Sequence, residues 1–221
     1  MAFITGKDAT TVQDILSKLP RKVKLVYFTQ ELECQYCRET RQLLEELKAL
    51  SNGNLELEVY NFINDKDQVE KYHIDKIPAT VVMAEDKDYG IRYYGIPSGY
   101  EFSSLLEDIQ QVAKGDPEVS EDTRTKIAKI TQPLRLQVFV TPTCPYCPSA
   151  VLTAHKLAIL NDNITADMVE ATEFPHLAMR YQVQGVPRTI IGEKHAIEGA
   201  LPEPHFVQRV LDAYSEIYAD N

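Results

Sequence analysis

The chain contains four cysteines, Cys34, Cys37, Cys144 and Cys147, and all of them fall in two Cys-x-x-Cys pairs. Such pairs serve either thiol–disulfide exchange or metal ligation. Exchange needs a thiolate, and a free cysteine is mostly protonated near neutral pH. A helix N-terminus supplies unpaired N–H groups and a partial positive charge, both of which favour the anion. Two intervening residues bring the second thiol to the same face one turn later. There it can close a small disulfide or resolve a mixed one. Pro145 is tolerated at such a helix start, where its missing N–H costs nothing. Zinc is the alternative chemistry. A four-cysteine zinc site usually pairs two such elements about 15–20 residues apart, whereas 143 − 38 + 1 = 106 residues lie between these two.

A second constellation is formed by Pro78 and Pro187, each preceded by a β-branched apolar residue, Ile77 and Val186, and followed by a strand pattern. A proline at a strand start is the plain reading. The sharper one is a cis proline packed against the cysteines, a geometry found in only about 5% of X–Pro bonds. A proline there removes a competing N–H near the sulfurs. It leaves the backbone of Ile77 or Val186 to pair with an extended substrate peptide.

The elements that must position these residues occur twice. Val-Lys-Leu-Val-Tyr-Phe (23–28) precedes the first pair and Leu-Arg-Leu-Gln-Val-Phe-Val (134–140) the second. The second cysteine and the proline are 78 − 37 = 41 residues apart in one half and 187 − 147 = 40 in the other. Gly95, Pro97 and Phe102 are matched by Gly199, Pro202 and Phe206. Landmarks in one order at near-equal spacing mark an internal repeat. Each half reads α-β-α-β-α-β-β-α by hydrophobic period and breakers. The expectation is an α/β fold of two tandem units, residues 1–116 and 117–221, each with a central mixed four-stranded sheet flanked by helices. Residues 114–122 read as the linker, with Ser120 capping a helix over 120–131. Strands over 79–83 and 91–95 flank a turn at 85–90.

Composition narrows the function. A net charge of −10 opposes nucleic-acid binding. No apolar run approaches the roughly 18–20 residues of a membrane span. The N-terminus lacks the basic start and apolar stretch of a secretory signal, so the expected location is the cytoplasm. No Gly-rich nucleotide loop is present, so no bound cofactor is expected. None of His73, His155, His176, His195 and His205 has a spacing that demands pairing with a cysteine, and they read as surface or partly buried residues.

Taken together, these residues resemble the thioredoxin-fold superfamily. Cys-Pro-Tyr-Cys (144–147) is the glutaredoxin form of the motif. The doubled arrangement resembles the protein disulfide oxidoreductases of thermophilic archaea and bacteria, through Tyr-Phe-Thr-Gln-Glu-Leu-Glu-Cys-Gln-Tyr-Cys (27–37), Arg-Tyr-Tyr-Gly-Ile-Pro-Ser-Gly-Tyr-Glu-Phe (92–102) and Val-Phe-Val-Thr-Pro-Thr-Cys-Pro-Tyr-Cys-Pro (138–148). The resemblance implies reduction, formation and isomerisation of disulfides in protein substrates. It also implies electrons from a separate thioredoxin-reductase-type flavoprotein. By position, Cys34 and Cys144 become nucleophiles, Cys37 and Cys147 resolving thiols, and Pro78 and Pro187 cis prolines. One departure stands out. Thioredoxins carry a buried carboxylate on the strand before the site, and neither 25–28 nor 136–139 holds an acid. Water or a carboxylate from elsewhere must then take the resolving thiol's proton.

The two sites differ in charge. Glu31 and Glu33 precede Cys34 and oppose its thiolate, with Arg38 as a partial offset, while Thr141-Pro142-Thr143 precedes Cys144. Cys144 is expected to have the lower pKa and the greater reactivity. Three other functions compete with the main one. The first is an electron carrier to a peroxidase, like the doubled N-terminal part of the alkyl hydroperoxide reductase flavoprotein, which keeps one active pair where this chain keeps two. The others are a glutathione-linked glutaredoxin and a metal-binding or scaffold module.

Overall fold

The computed structural model describes residues 2–85 and 87–219. The first half comprises α1 (Gly6–Ser17), β1 (Val23–Thr29), α2 (Cys37–Leu50), β2 (Leu55–Asn61), α3 (Lys66–Lys71), β3 (Ala79–Ala84), β4 (Lys87–Tyr94) and α4 (Glu101–Lys114). The second repeats the order with α5 (Glu121–Ile127), β5 (Leu134–Val140), α6 (Cys147–Leu160), β6 (Ile164–Glu170), α7 (Pro175–Arg180), β7 (Arg188–Ile191), β8 (His195–Glu198) and α8 (Glu203–Ile217). Two expectations are adjusted. The helix over 120–131 closes at Ile127, and the strand expected to begin at 91 begins at Lys87. Asp86, in the expected turn, lies outside the described residues. Ser120 does cap α5, its hydroxyl accepting from the Thr123 N–H at 3.2 Å.

The two four-stranded sheets do not stand apart. They join edge to edge into one eight-stranded sheet of order β2-β1-β3-β4-β6-β5-β7-β8. The seam is a parallel pairing that sets Ile91 beside Ala166 and Tyr93 beside Met168. Since β1 is antiparallel to β3 and β3 to β4, the strands β1, β4, β6 and β5 all run the same way. Both Cys-x-x-Cys segments therefore leave the sheet at one edge. They are four strand positions apart, roughly 20 Å at the usual inter-strand spacing.

Period two sorts the side chains into two layers. Leu25 and Tyr27 of β1, Ile91 and Tyr93 of β4, Ala166 and Met168 of β6, and Leu136 and Val138 of β5 point to one face, in a cluster shared with α1, α2, α4, α6 and α8. Val26, Phe28, Tyr94, Phe139 and Val169 point to the other, under α3 and α7. The two cysteine-bearing helices thus share a face as well as an edge.

Candidate redox sites

Each pair sits where its strand hands the chain to its helix. Cys34 and Cys144 lie in the loops, and Cys37 and Cys147 open α2 and α6. Both pairs are closed as disulfides, each with Cα atoms 5.5 Å apart. In both, the second sulfur is the more hidden: Cys37 is 2% exposed beneath a half-buried Cys34, and Cys147 is 0% beneath Cys144 at 8%. The roughly 20 Å between the pairs far exceeds what four sulfurs at about 2.3 Å from one zinc could span. Among the described residues no group of three or more His, Cys, Asp or Glu side chains could hold a metal ion.

The Ile77–Pro78 and Val186–Pro187 peptide bonds are both cis. Both prolines are buried, and Ile77 and Val186 are half-buried. The carbonyl of Val186 lies 3.7 Å from Cys144 Sγ. At the second site the residue before the cis proline is thus brought to the first cysteine.

The surroundings of the two sites differ. Cys34 opens into a cleft of about 500 Å³ walled by Glu31, Arg38, Arg41, Tyr60, Asn61 and Asp65. The second site has instead a projecting Tyr146, 71% exposed. Besides Arg38, α2 brings Arg41 to the same cleft one turn later. Tyr27 and Val138 hold matching places in β1 and β5, on the sheet row that carries Thr80 and Thr189. The Tyr27 hydroxyl donates to the carbonyl of Cys37 at 2.6 Å, and burial pushes its pKa up. Val138 makes no such bond.

Two carboxyls outside the preceding strands, one buried and one half-buried, are raised in pKa. Glu101, in the first turn of α4, is 1% exposed; burial raises its pKa to about 7, with one hydrogen bond from Ser104 holding it down. Glu173 follows β6 and accepts from the Ile96 N–H at 2.6 Å, beside the Gly95 that bonds the Pro78 carbonyl. Burial raises its pKa too, to about 7, and the charge of Glu170 adds to the rise. Sequence reasoning passes over both, because an acid in a first helical turn or a loop normally faces water. His155 departs from the surface expectation as well. It is fully buried, its Nδ1 2.5 Å from Asp108 Oδ2, and Tyr93 donates to the same carboxylate. This knot joins α4, β4 and α6 across the seam, so tertiary packing overrides the usual preference of histidine for the surface.

A redox-closed Cys-x-x-Cys at a strand-to-helix junction, with a buried cis proline just before an adjacent strand, defines a thiol–disulfide oxidoreductase of thioredoxin fold. Comparison with known proteins sharpens the class. A thioredoxin-domain family matches residues 134–212, and a domain of unknown function matches residues 9–96. The crystal structure of a protein disulfide oxidoreductase from Aeropyrum pernix superposes with a TM-score of 0.90 at 26% identity, over 98% of this chain and 96% of that one. The alkylhydroperoxide reductase AhpF of Enterococcus faecalis gives a TM-score of 0.85 at 25% identity, over 94% and 99%. Among curated proteins, the F component of alkyl hydroperoxide reductase from Staphylococcus epidermidis is 30% identical over 129 residues, 58% of this chain and 24% of its own length. The chain spans about a quarter of the length of the curated relatives it matches. Its second half matches a thioredoxin-domain family, and over nearly its whole length it is similar to a protein disulfide oxidoreductase; it carries two Cys-x-x-Cys sites.

Proposed function

We propose that the chain reduces, forms and rearranges disulfide bonds of protein substrates through both sites. Cys34 and Cys144 attack, and Cys37 and Cys147 resolve. The observation that carries this reading is the order of burial, the same in both pairs: the first sulfur is the more accessible and the second is hidden behind it. A nucleophile must be reachable, whereas a resolving thiol need only reach its neighbour. Ile77 and Val186 offer their backbone to an extended substrate segment, which favours unfolded protein over a small rigid ligand. The electrons come from a separate thioredoxin-reductase-type flavoprotein, and the working place is the cytoplasm. No helix among the described residues is long and apolar enough to cross a membrane.

Refolding of a scrambled disulfide-bonded protein tests the reading, with wild type set against Cys34→Ser/Cys37→Ser and Cys144→Ser/Cys147→Ser. Isomerisation lost in either double variant fits two cooperating sites; an inactive wild type refutes the proposal. The likeness to the alkylhydroperoxide reductase AhpF supports a second reading, an electron carrier to a peroxidase. Peroxide consumption by a thiol peroxidase that depends on this chain would favour it.

A further inference from the structure

The residues just ahead of Ile77–Pro78 are held by the second half of the chain. Asp75 accepts from Nη1 of Arg135, on β5, at 2.9 Å, and Arg135 Nε donates to Asp167 of β6 at 2.6 Å. Asp167 is buried and is the register partner of Arg92 across the seam. Arg92 donates through Nε and Nη2 to the carbonyl of Tyr72, at the other end of the same segment. Lys76 pairs with Asp75 and lays its ammonium 3.6 Å from the centre of the Tyr94 ring. Burial pushes the Asp75 carboxyl up, but the Arg135 hydrogen bond and the Lys76 charge bring it below its usual value. Beyond the proline, the Pro78 carbonyl accepts from the Gly95 N–H at 2.9 Å, and the next N–H, that of Ile96, donates to Glu173 of the second half. The second site is built differently. Its matching residues, Gln184 and Gly185, are exposed and carry no charge. Lys24, which stands in β1 where Arg135 stands in β5, pairs with Glu58 of its own half at 2.8 Å.

We propose that Arg135, contributed by the second half, is a positioning residue for the first site, acting through Asp75 to hold the Ile77 backbone in place for an extended substrate. This rests on the reading of Ile77 as the residue whose backbone pairs with the client. Asp75 lies two residues before Ile77, so fixing it removes freedom that the segment would otherwise lose on pairing. A segment ordered beforehand binds at a lower entropic cost, and the saving appears as affinity rather than as a faster sulfur-exchange step. Arginine suits the position because its rigid fork presents one nitrogen to Asp75 and another to Asp167, a geometry lysine does not have. The first site is therefore preordered for a client by a residue of the other half. The second must order its exposed Gln184–Gly185 segment as the client binds.

The test uses the full chain with Cys144→Ser/Cys147→Ser, reduced, and an uncharged extended peptide whose cysteine carries thionitrobenzoate in a mixed disulfide. The Cys34 thiolate attacks the peptide sulfur and displaces thionitrobenzoate. Cys37 then attacks Cys34, the Cys34–Cys37 bond closes, and the peptide thiol is freed. Asp75→Asn breaks the pair at a partly exposed position and leaves the Arg135–Asp167 bond in place. It should raise the peptide concentration for half-maximal release roughly three- to fivefold, the range of a partly exposed ion pair. The limiting rate should hold, and so should the rate with dithiobis(nitrobenzoate), which has no backbone to pair. In the Cys34→Ser/Cys37→Ser chain the same substitution should leave the second site's half-saturation where it was. Salt should raise half-saturation in the parent by screening the pair, and less so in Asp75→Asn. A parent that does not respond to salt overturns the proposal even if Asp75→Asn does not fold. An unchanged half-saturation in Asp75→Asn, an equal rise at both sites, or a loss confined to the limiting rate also overturns it. A parent that reacts with neither reagent, or with the peptide without saturating, refutes the reading of the site itself, and the proposal falls with it.

Discussion

The Tyr27 hydroxyl donates to the main-chain carbonyl of Cys37 at 2.6 Å, tying the sheet to the first turn of α2. Tyr27→Phe keeps the ring and removes the bond. The expected loss is about 1 kcal/mol, the usual net worth of a hydrogen bond. Urea unfolding would measure it. Val138→Phe makes no comparable test, because β5 has no such bond to lose. The signature of the Tyr27 role is a change in the reduction potential of the first site alone, and equal shifts at both sites would contradict it.

The two nucleophiles should titrate differently. Cys144 has no acidic residue in the segment just before it, whereas Glu31 and Glu33 oppose a thiolate at Cys34. Arg38 and Arg41 reduce that difference, so the separation should be modest. Iodoacetamide alkylation against pH, followed site by site, should give the lower inflection at Cys144. The half-buried Cys34 should nonetheless alkylate to a higher limiting rate. An inverted order of inflections would refute the electrostatic argument.

Glu173 makes stability depend on pH. Its carboxyl is raised from 4.5 to about 7 by burial and by Glu170. The folded state therefore holds more protons than the unfolded one between those values, and stability falls as pH rises through that window. Glu173→Gln stays neutral and keeps an acceptor for the Ile96 N–H. It should gain about 1–2 kcal/mol over wild type at pH 8, a figure reduced because the side chain is partly exposed, and nothing at pH 4. That is a few degrees in Tm for a chain of this size. Equal Tm differences at both pH values would count against it.

Gly99 has a left-handed backbone, φ +61°, and a Cβ there would collide with the carbonyl of Pro142. Gly99→Ala should cost more than about 1 kcal/mol, since the strain and the clash add. The damage should fall on the second site, whose preceding loop must move, even though Gly99 belongs to the first half. Alkylation of Cys144 in the variant would locate it.

The local elements are legible wherever period and punctuation agree. Leu134–Val140 reads as a strand and holds those bounds. The cysteine–proline constellations are legible because the repeat supplies a second copy to check against. The seam is not. Pairing of β4 with β6 depends on which backbone edges remain free once each half is built, and side-chain alternation does not record that. Part of the signal is present as chemistry: Arg92 and Asp167 are register partners across the seam, both buried, and Arg135 reaches Asp167 at 2.6 Å. Glu101 and His155 go unread for the same reason, since only the seam buries them.

The parallel seam makes the two catalytic centres parts of one plate. Hinged two-site enzymes can close on a client and press a disulfide between their centres; a continuous sheet has no hinge between β1 and β5. The span of roughly 20 Å is therefore a fixed gauge, and a client must fit itself to it. About six residues of extended chain cover that distance. A polypeptide loose enough to lie along the plate can engage both centres at once, whereas a folded client must leave one before it meets the other. On the proposed function, this fixed spacing would favour clients whose chains are not yet folded.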